Sequence, residues 1–340
     1  MGFSCWNLAR QTAALMLSCS LLVLAGCGDG QDKPVAVSDA VDWSKVKLVL
    51  GDQAKGLRTV VDASNAFDGI AYQIEWANFQ GAAPLFEAVR AGAVDLAPAG
   101  DTPVLAAATG GTPLRIVAVR RGQGRSVGIL VPPGSDIKTV ADLKGRNVSI
   151  SSARGSISQY LLIRALENAG VKESEVNIGF VMPTDALSAF HGGKIDAWAT
   201  FGIYQAFGEE NGARLLLSGE GINTGLTFIT ASDHALADKV KRQALNDVLQ
   251  RLAKAFEWAR ANPDQYAQVF SSANNVPLPV SQRLQSWGVE SLQPVQTSDV
   301  TALQGVDDLF VAKKIFAKPV QVSGLIDREV FPSAHGVLLR

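Results

Sequence analysis

The chain has 340 residues, with 31 basic and 32 acidic side chains and a formal net charge of −1. Its 47% hydrophobic and 19% charged content is that of a globular protein, not a disordered one, and its length favours two domains over one. There is no basic excess and no Lys/Arg stripe interleaved with aromatics, so nucleic acid is not an expected partner.

The N-terminus reads as a leader. MGFSCWNLAR carries one charge, Arg10, and TAALMLSCSLLVLA is an apolar run ending in LAGC. The run is too short for a comfortable bilayer span of about 20 residues. LAGC, Leu24 to Cys27, resembles the bacterial lipobox, which implies a signal peptide over residues 1–26 and lipidation of Cys27. Cysteine usage favours this over an ordinary leader with an incidental cysteine. All three cysteines, Cys5, Cys19 and Cys27, lie at or before the site, so the body has no disulfide framework. Residues 27–44 read as a flexible tether to the membrane.

Next comes a β-α-β-α-β order from Val46 to Gly100: strand VKLVLG, helix LRTVVDASNAF, strand IAYQIEWANF, helix LFEAVRAG, strand VDLAPAG. From Asn147 the same order returns: strand NVSIS, loop SARGS, helix ISQYLLIRALENA, strand VNIGFVMP, helix TDALSAFHGG with Thr184 or Asp185 as N-cap, strand IDAWATF. AVRAGAVDLA (88–97) matches AFHGGKIDAW (189–198), with Asp95 and Asp196 in register as structural turn residues. Alternating strands and helices predict parallel sheets with helices on both faces, hence two α/β lobes.

Strand-like IVAV and VGILV lie between the units, and GINTGLTFITASD follows the second. The helix-rich remainder is expected to pack back on the first lobe. The chain then crosses between lobes twice, near 121–126 and 222–228, forming a hinge. The expected lobes are 45–121 with 228–326, and 122–227, with 327–340 as a tail.

EWANFQGAAPLFEAVRAGAVDLAPAGDTP, VADLKGRNVSISSARGSISQYLLIRALENAG, DALSAFHGGKIDAWATF and KIFAKPVQVSGLIDREVF resemble the aliphatic sulfonate-binding proteins of bacterial ABC importers. The broader group includes taurine- and nitrate-binding proteins. The resemblance covers about Val46 to Ile326. It implies a type II periplasmic-binding-protein fold closing on a ligand in a cleft, with a membrane permease and an ATPase as partners. The chain departs from the family at Gly202 and Ile203, where an acidic residue and a proline are usual.

Three strand-to-helix loops, 51–56, 100–103 and 151–156, are expected to open on the cleft, because ligands bind beyond the carboxyl ends of parallel strands. Their first helical N–H groups lack intrahelical partners and carry the positive end of the helix dipole, which suits an anion. With the resemblance in hand, Gly155 and Ser156 become ligand contacts, helped by the Ser158 hydroxyl and Arg154. Read without it, Ser156 and Ser158 are simple caps. Asp101, with Gly100 and Thr102, is expected to cap or orient. Gln53 is an amide contact, and Gly81 allows close backbone approach. Phe201 is placed to line the pocket. Trp198, on a strand whose side chains point to core or cleft, is counted among the ligand contacts, and Tyr204 is a weaker candidate.

Gly124–Gly128, GRSVG, matches the nucleophile-elbow pattern, but a strand-like run rather than a helix follows it. A lipid-anchored hydrolase using Ser126 is therefore only the alternative. His191, His234 and His335 have no metal-ligand spacing. The expectation is a monomeric, extracytoplasmic binding protein without metal or cofactor. Its ligand is a small organosulfonate or related organic anion, with nitrate or a neutral heterocycle such as a pyrimidine precursor as other ligand classes.

Overall fold

A computed structural model describes residues 41–331. The leader 1–26, Cys27, His335 and most of the tether lie outside the described residues. Trp43 and Ser44, expected to belong to the tether, are folded instead. Residues Trp43–Lys45 form a helical turn that sets Trp43 against Tyr72, ring centroids 6.5 Å apart.

The first half of the chain runs β1 (Lys47–Gln53), α1 (Gly56–Ser64), β2 (Gln73–Phe79), α2 (Ala82–Arg90), β3 (Leu96–Gly100), α3 (Asp101–Thr109) and β4 (Leu114–Arg121). After a crossing come β5 (Val127–Val131), β6 (Asn147–Ser151), α4 (Ile157–Asn168), β7 (Asn177–Val181), α5 (Pro183–His191), β8 (Ala197–Phe201), α6 (Gly202–Glu210) and β9 (Arg214–Ser218). A second crossing leads to β10 (Leu226–Ser232), α7 (Asp233–Ala237), α8 (Lys239–Ala261), α9 (Pro263–Asn274), α10 (Leu278–Ser286), β11 (Leu292–Gln293) and α11 (Thr297–Ala312).

The strands form two sheets, ordered β11-β4-β10-β3-β1-β2 and β9-β5-β8-β6-β7. Apart from the short β11, the two orders are the same. The sheets are mixed, not parallel throughout. In each, three strands pair with one another in parallel, and a fourth, β10 or β5, pairs antiparallel with a neighbour on either side. That fourth strand is always the one entering from the other lobe. The repeated acids also do the same work. Asp95 accepts the Val49 N–H and Asp196 the Asn147 N–H, each at 2.8 Å, tying neighbouring parallel strands together.

Local chemistry accounts for the helices. In α4, Leu161, Leu162, Ala165 and Leu166 form one buried stripe, Ser156 caps the start, and Gly170 at φ +67° follows the end. α8 buries Leu245, Val248, Leu249, Leu252 and Phe256 at helical spacing against α1 and β1, and Asp238 accepts the N–H groups of Val240 and Lys241. Each such buried side chain contributes about 1.5–3 kcal/mol. α5 begins at Pro183, with Met182 as its cap residue in place of Thr184 or Asp185. Proline fits there because its missing N–H would have no helical partner. The last described residues are not a loose tail: Val330 and Phe331 are buried in the core around α8.

The connections between lobes, 122–126 and 219–225, touch through their backbones. The Gly122 N–H donates to the Gly225 carbonyl at 2.8 Å. A Cβ on Gly225 would lie 2.3 Å from the Gly122 oxygen, and one on Gly124 2.6 Å from the Gly219 oxygen. The lobes also meet on both flanks of the crevice. On one side Tyr160 of α4 packs edge-on to Phe310 at 6.0 Å, and Lys313 bridges to Glu167 (2.7 Å) and Glu173 (3.2 Å). On the other, Arg283 Nε of α10 lies 2.6 Å from Glu209 of α6.

Candidate functional site

The crevice between the lobes lies at the carboxyl ends of the parallel strands of both sheets, where open α/β sheets place ligands. It has two chambers of about 340 and 410 Å³. Gln53, Gly56, Arg120, Ile157, Phe201 and Thr227 wall both and form the neck between them.

The helix starts around it are not equivalent. At α1 the Asp52 carboxylate accepts from the N–H groups of Leu57 (2.9 Å) and Arg58 (2.8 Å). At α3 the Thr102 N–H donates to Asp101 at 2.6 Å. Both tips are already filled by the protein's own acids, so the expected anion receptors at loops 51–56 and 100–103 are closed. Burial raises the pKa of both carboxyls, partly offset by the hydrogen bonds they accept. At α4 the caps are neutral: Ser156 Oγ accepts the Gln159 N–H at 3.3 Å, and Gln159 Oε1 accepts the Gly155 N–H at 2.7 Å. This tip keeps its positive end. Ser152, Arg154, Gly155 and Ser156 wall the second chamber, and the exposed Arg154 lies 5.7 Å from the Phe180 ring centroid. Two further helix starts, at α2 and α6, have no side-chain cap.

Gln53, Asp101, Gly100, Arg154, Gly155, Ser156 and Phe201 are thus brought to one crevice. Gln53 Nε2 donates to the Pro98 carbonyl at 2.7 Å. Asp101 also accepts from the Thr224 hydroxyl, which ties α3 to a hinge connection. The Gly155 position is tight: its φ is +81°, and a Cβ would sit 3.0 Å from Phe316.

Four expected residues do not wall either chamber. Trp198 is fully buried among Leu130, Ala186 and Phe190, and its indole N–H donates to Ser151 Oγ at 2.7 Å. The pleat of β8 turns it to the core. Thr102 and Ser158 are fully buried within the first turns of their helices, and their hydroxyls have no partner among the described residues. Gly81 sits between Gln80, on the first chamber, and Ala82, on the second, without lining either. Ser126 stands on the hinge connection, and β5 follows it, so the strand–turn–helix of a nucleophile elbow is absent there. Neither His191 nor His234 reaches the crevice.

Sequence reading missed α6, although Asn211-Gly212 marks its stop, and missed Arg120, Glu290 and the aromatics of α8 and α9. Arg120 emerges at the end of β4. Its guanidinium pairs with Glu290 at 2.6 Å and lies 4.1 Å from the Phe256 ring centroid.

Two lobes joined by paired hinge connections around a crevice define a two-lobe solute-binding fold of the periplasmic type. The chain belongs to the NMT1/THI5-like family, whose model matches residues 73–266. It is 31% identical over 319 residues, 93% of this chain and 95% of the relative, to an Escherichia coli (strain K12) protein named for the binding of aliphatic sulfonates. The alkanesulfonate-binding protein SsuA from Xanthomonas axonopodis pv. citri, solved bound to MOPS, superposes with a TM-score of 0.74 at 28% identity, over 85% of this chain and 99% of that one. The periplasmic aliphatic sulphonate binding protein SsuA of Escherichia coli gives 0.75 at 27%, over 84% and 98%.

Proposed function

We propose that this chain is the extracytoplasmic solute-binding protein of an ABC importer, a binding protein and not an enzyme. Its ligand is a small organosulfonate, its membrane partners are a permease and an ATPase, and it is held at the membrane as a monomer through lipidated Cys27. The names of its relatives support the ligand class. The observation that carries the reading on this chain is the contrast between helix tips. α1 and α3 are neutralised by Asp52 and Asp101, whereas α4 meets the crevice with neutral caps and Arg154 beside it.

A sulfonate presents three acceptor oxygens and a full charge, so it outcompetes the neutral Gln159 amide oxygen for the Gly155 N–H. The Ser156 hydroxyl and Arg154 supply further donors, and Asp101 orients the neighbouring loop. The second chamber takes Arg154, Gly155 and Ser156 from one lobe and Gln53 and the start of α2 from the other, so a ligand there touches both only when the lobes are together, prefers the closed state and shifts the population toward it.

A thermal-shift panel of alkanesulfonates, taurine, nitrate and a neutral pyrimidine tests this. Alkanesulfonates raise the melting temperature by mass action, and Arg154→Gln reduces the shift. Melting unmoved by every sulfonate removes the ligand assignment, and a shift with nitrate or the pyrimidine alone replaces it.

A further inference from the structure

The first chamber is walled unlike the second. Six of its thirty wall residues are aromatic, in a chain that is 7% aromatic. They come from opposite sides. Phe201 and Tyr204 belong to the lobe of β5–β9, where they form an edge-to-face pair with centroids 6.1 Å apart. Phe256, Tyr266, Phe270 and Trp287 belong to the other lobe, with Tyr266 and Phe270 again edge-to-face at 6.2 Å. Gly202 and Ile203 add no charge at the rim. Lobe contact therefore sets two perpendicular ring pairs around one space of about 340 Å³, within the range of small-molecule sites.

We infer that the organic part of the ligand is an aromatic ring, seated in this chamber, with its sulfonate reaching through the Gln53–Phe201 neck toward α4. This deepens the sulfonate reading and rests on it. Rings on two opposing sides of the chamber give a flat guest aromatic surface to stack on or meet edge-on, contacts that an alkyl chain makes less well. A ring also loses no internal rotation on burial, while each torsion of a linear chain is frozen at an entropic cost. The head-to-tail direction follows from charge: Arg154, in no ion pair among the described residues, lies at the second chamber, whereas Arg120 at the neck is already paired with Glu290.

Isothermal titration of the full-length chain with methanesulfonate, hexanesulfonate and 4-toluenesulfonate tests this. 4-Toluenesulfonate is expected to bind at least tenfold more tightly than hexanesulfonate. Tyr204→Leu and Trp287→Leu, both half-buried positions, are expected to bring that ratio within threefold. Hexanesulfonate binding as tightly as the arenesulfonate, or a ratio unmoved by both substitutions, overturns the ring inference alone. Failure of all three sulfonates to bind overturns the sulfonate reading and the inference together.

Discussion

Gly225→Ala is the sharpest test of the hinge. Gly225 has φ +70°, and a Cβ there lies 2.3 Å from the Gly122 carbonyl oxygen and 2.6 Å from its carbon. The obstacle is backbone, so no side chain can rotate away. The two connections must part by at least about 0.7 Å to reach the 3.0 Å below which real Cβ contacts essentially never fall. That movement breaks the 2.8 Å hydrogen bond from Gly122 to Gly225, a loss of about 1 kcal/mol. The left-handed conformation adds about 1–2 kcal/mol for a residue with a Cβ. The total is about 2–3 kcal/mol, or roughly 3–5 °C in melting temperature for a chain of this size. Gly221→Ala is the control: its φ is +73°, but a Cβ there meets nothing within 4 Å, so only the conformational part, about 1–2 kcal/mol, applies. Urea unfolding of both variants measures the difference. Equal losses would refute the claim that the hinge backbones are in contact.

Ser156→Ala removes the acceptor of the Gln159 N–H and is expected to cost about 1 kcal/mol in urea unfolding; a parallel loss of sulfonate affinity by titration separates a ligand contact from a cap. Trp198→Phe loses the 2.7 Å bond to Ser151 and leaves a void, at a cost of about 2–3 kcal/mol. Sulfonate affinity of the folded variant is expected to stay at the parent value, and a selective loss of affinity would return Trp198 to the crevice. Burial raises the Asp101 carboxyl above its ordinary 3.8. A group whose folded pKa is raised contributes stability that is full below 3.8 and is lost as pH rises through the raised value. The parent is therefore expected to gain stability relative to Asp101→Asn as pH is lowered from 7 toward 4, and a flat difference across that range would contradict it.

The doubled β-α-β-α-β order was legible because it rests on local signals: apolar periodicity, Gly170 as a helix stop, and matching Asp95 and Asp196. The α4 tip was legible for the same reason, since a small, hydroxyl-rich loop before a helix is a local pattern. The capping state of α1 and α3 was harder. Asp52 and Asp101 are visible in the sequence, but whether a carboxylate turns back onto its own helix depends on the φ and ψ of the loop. Trp198 was ambiguous because strand alternation gives two faces without saying which is core. Arg120 and the rings of α8 and α9 were out of reach. Helical aromatic spacing looks the same whether it meets a core or a crevice, and the rings of α8 and α9 line the same chamber as Gln53 from some 200 positions away in the chain.

The exchanged fourth strands have a bearing on the order of assembly during synthesis. The first sheet has β10 between β3 and β4, so it cannot be completed until residue 232 has been made. The second sheet needs only residues 127–218, one uninterrupted stretch. The half that is translated later is thus the first able to finish, and pulse-labelled hydrogen exchange during refolding should show amides of 127–218 protected ahead of those of 96–121.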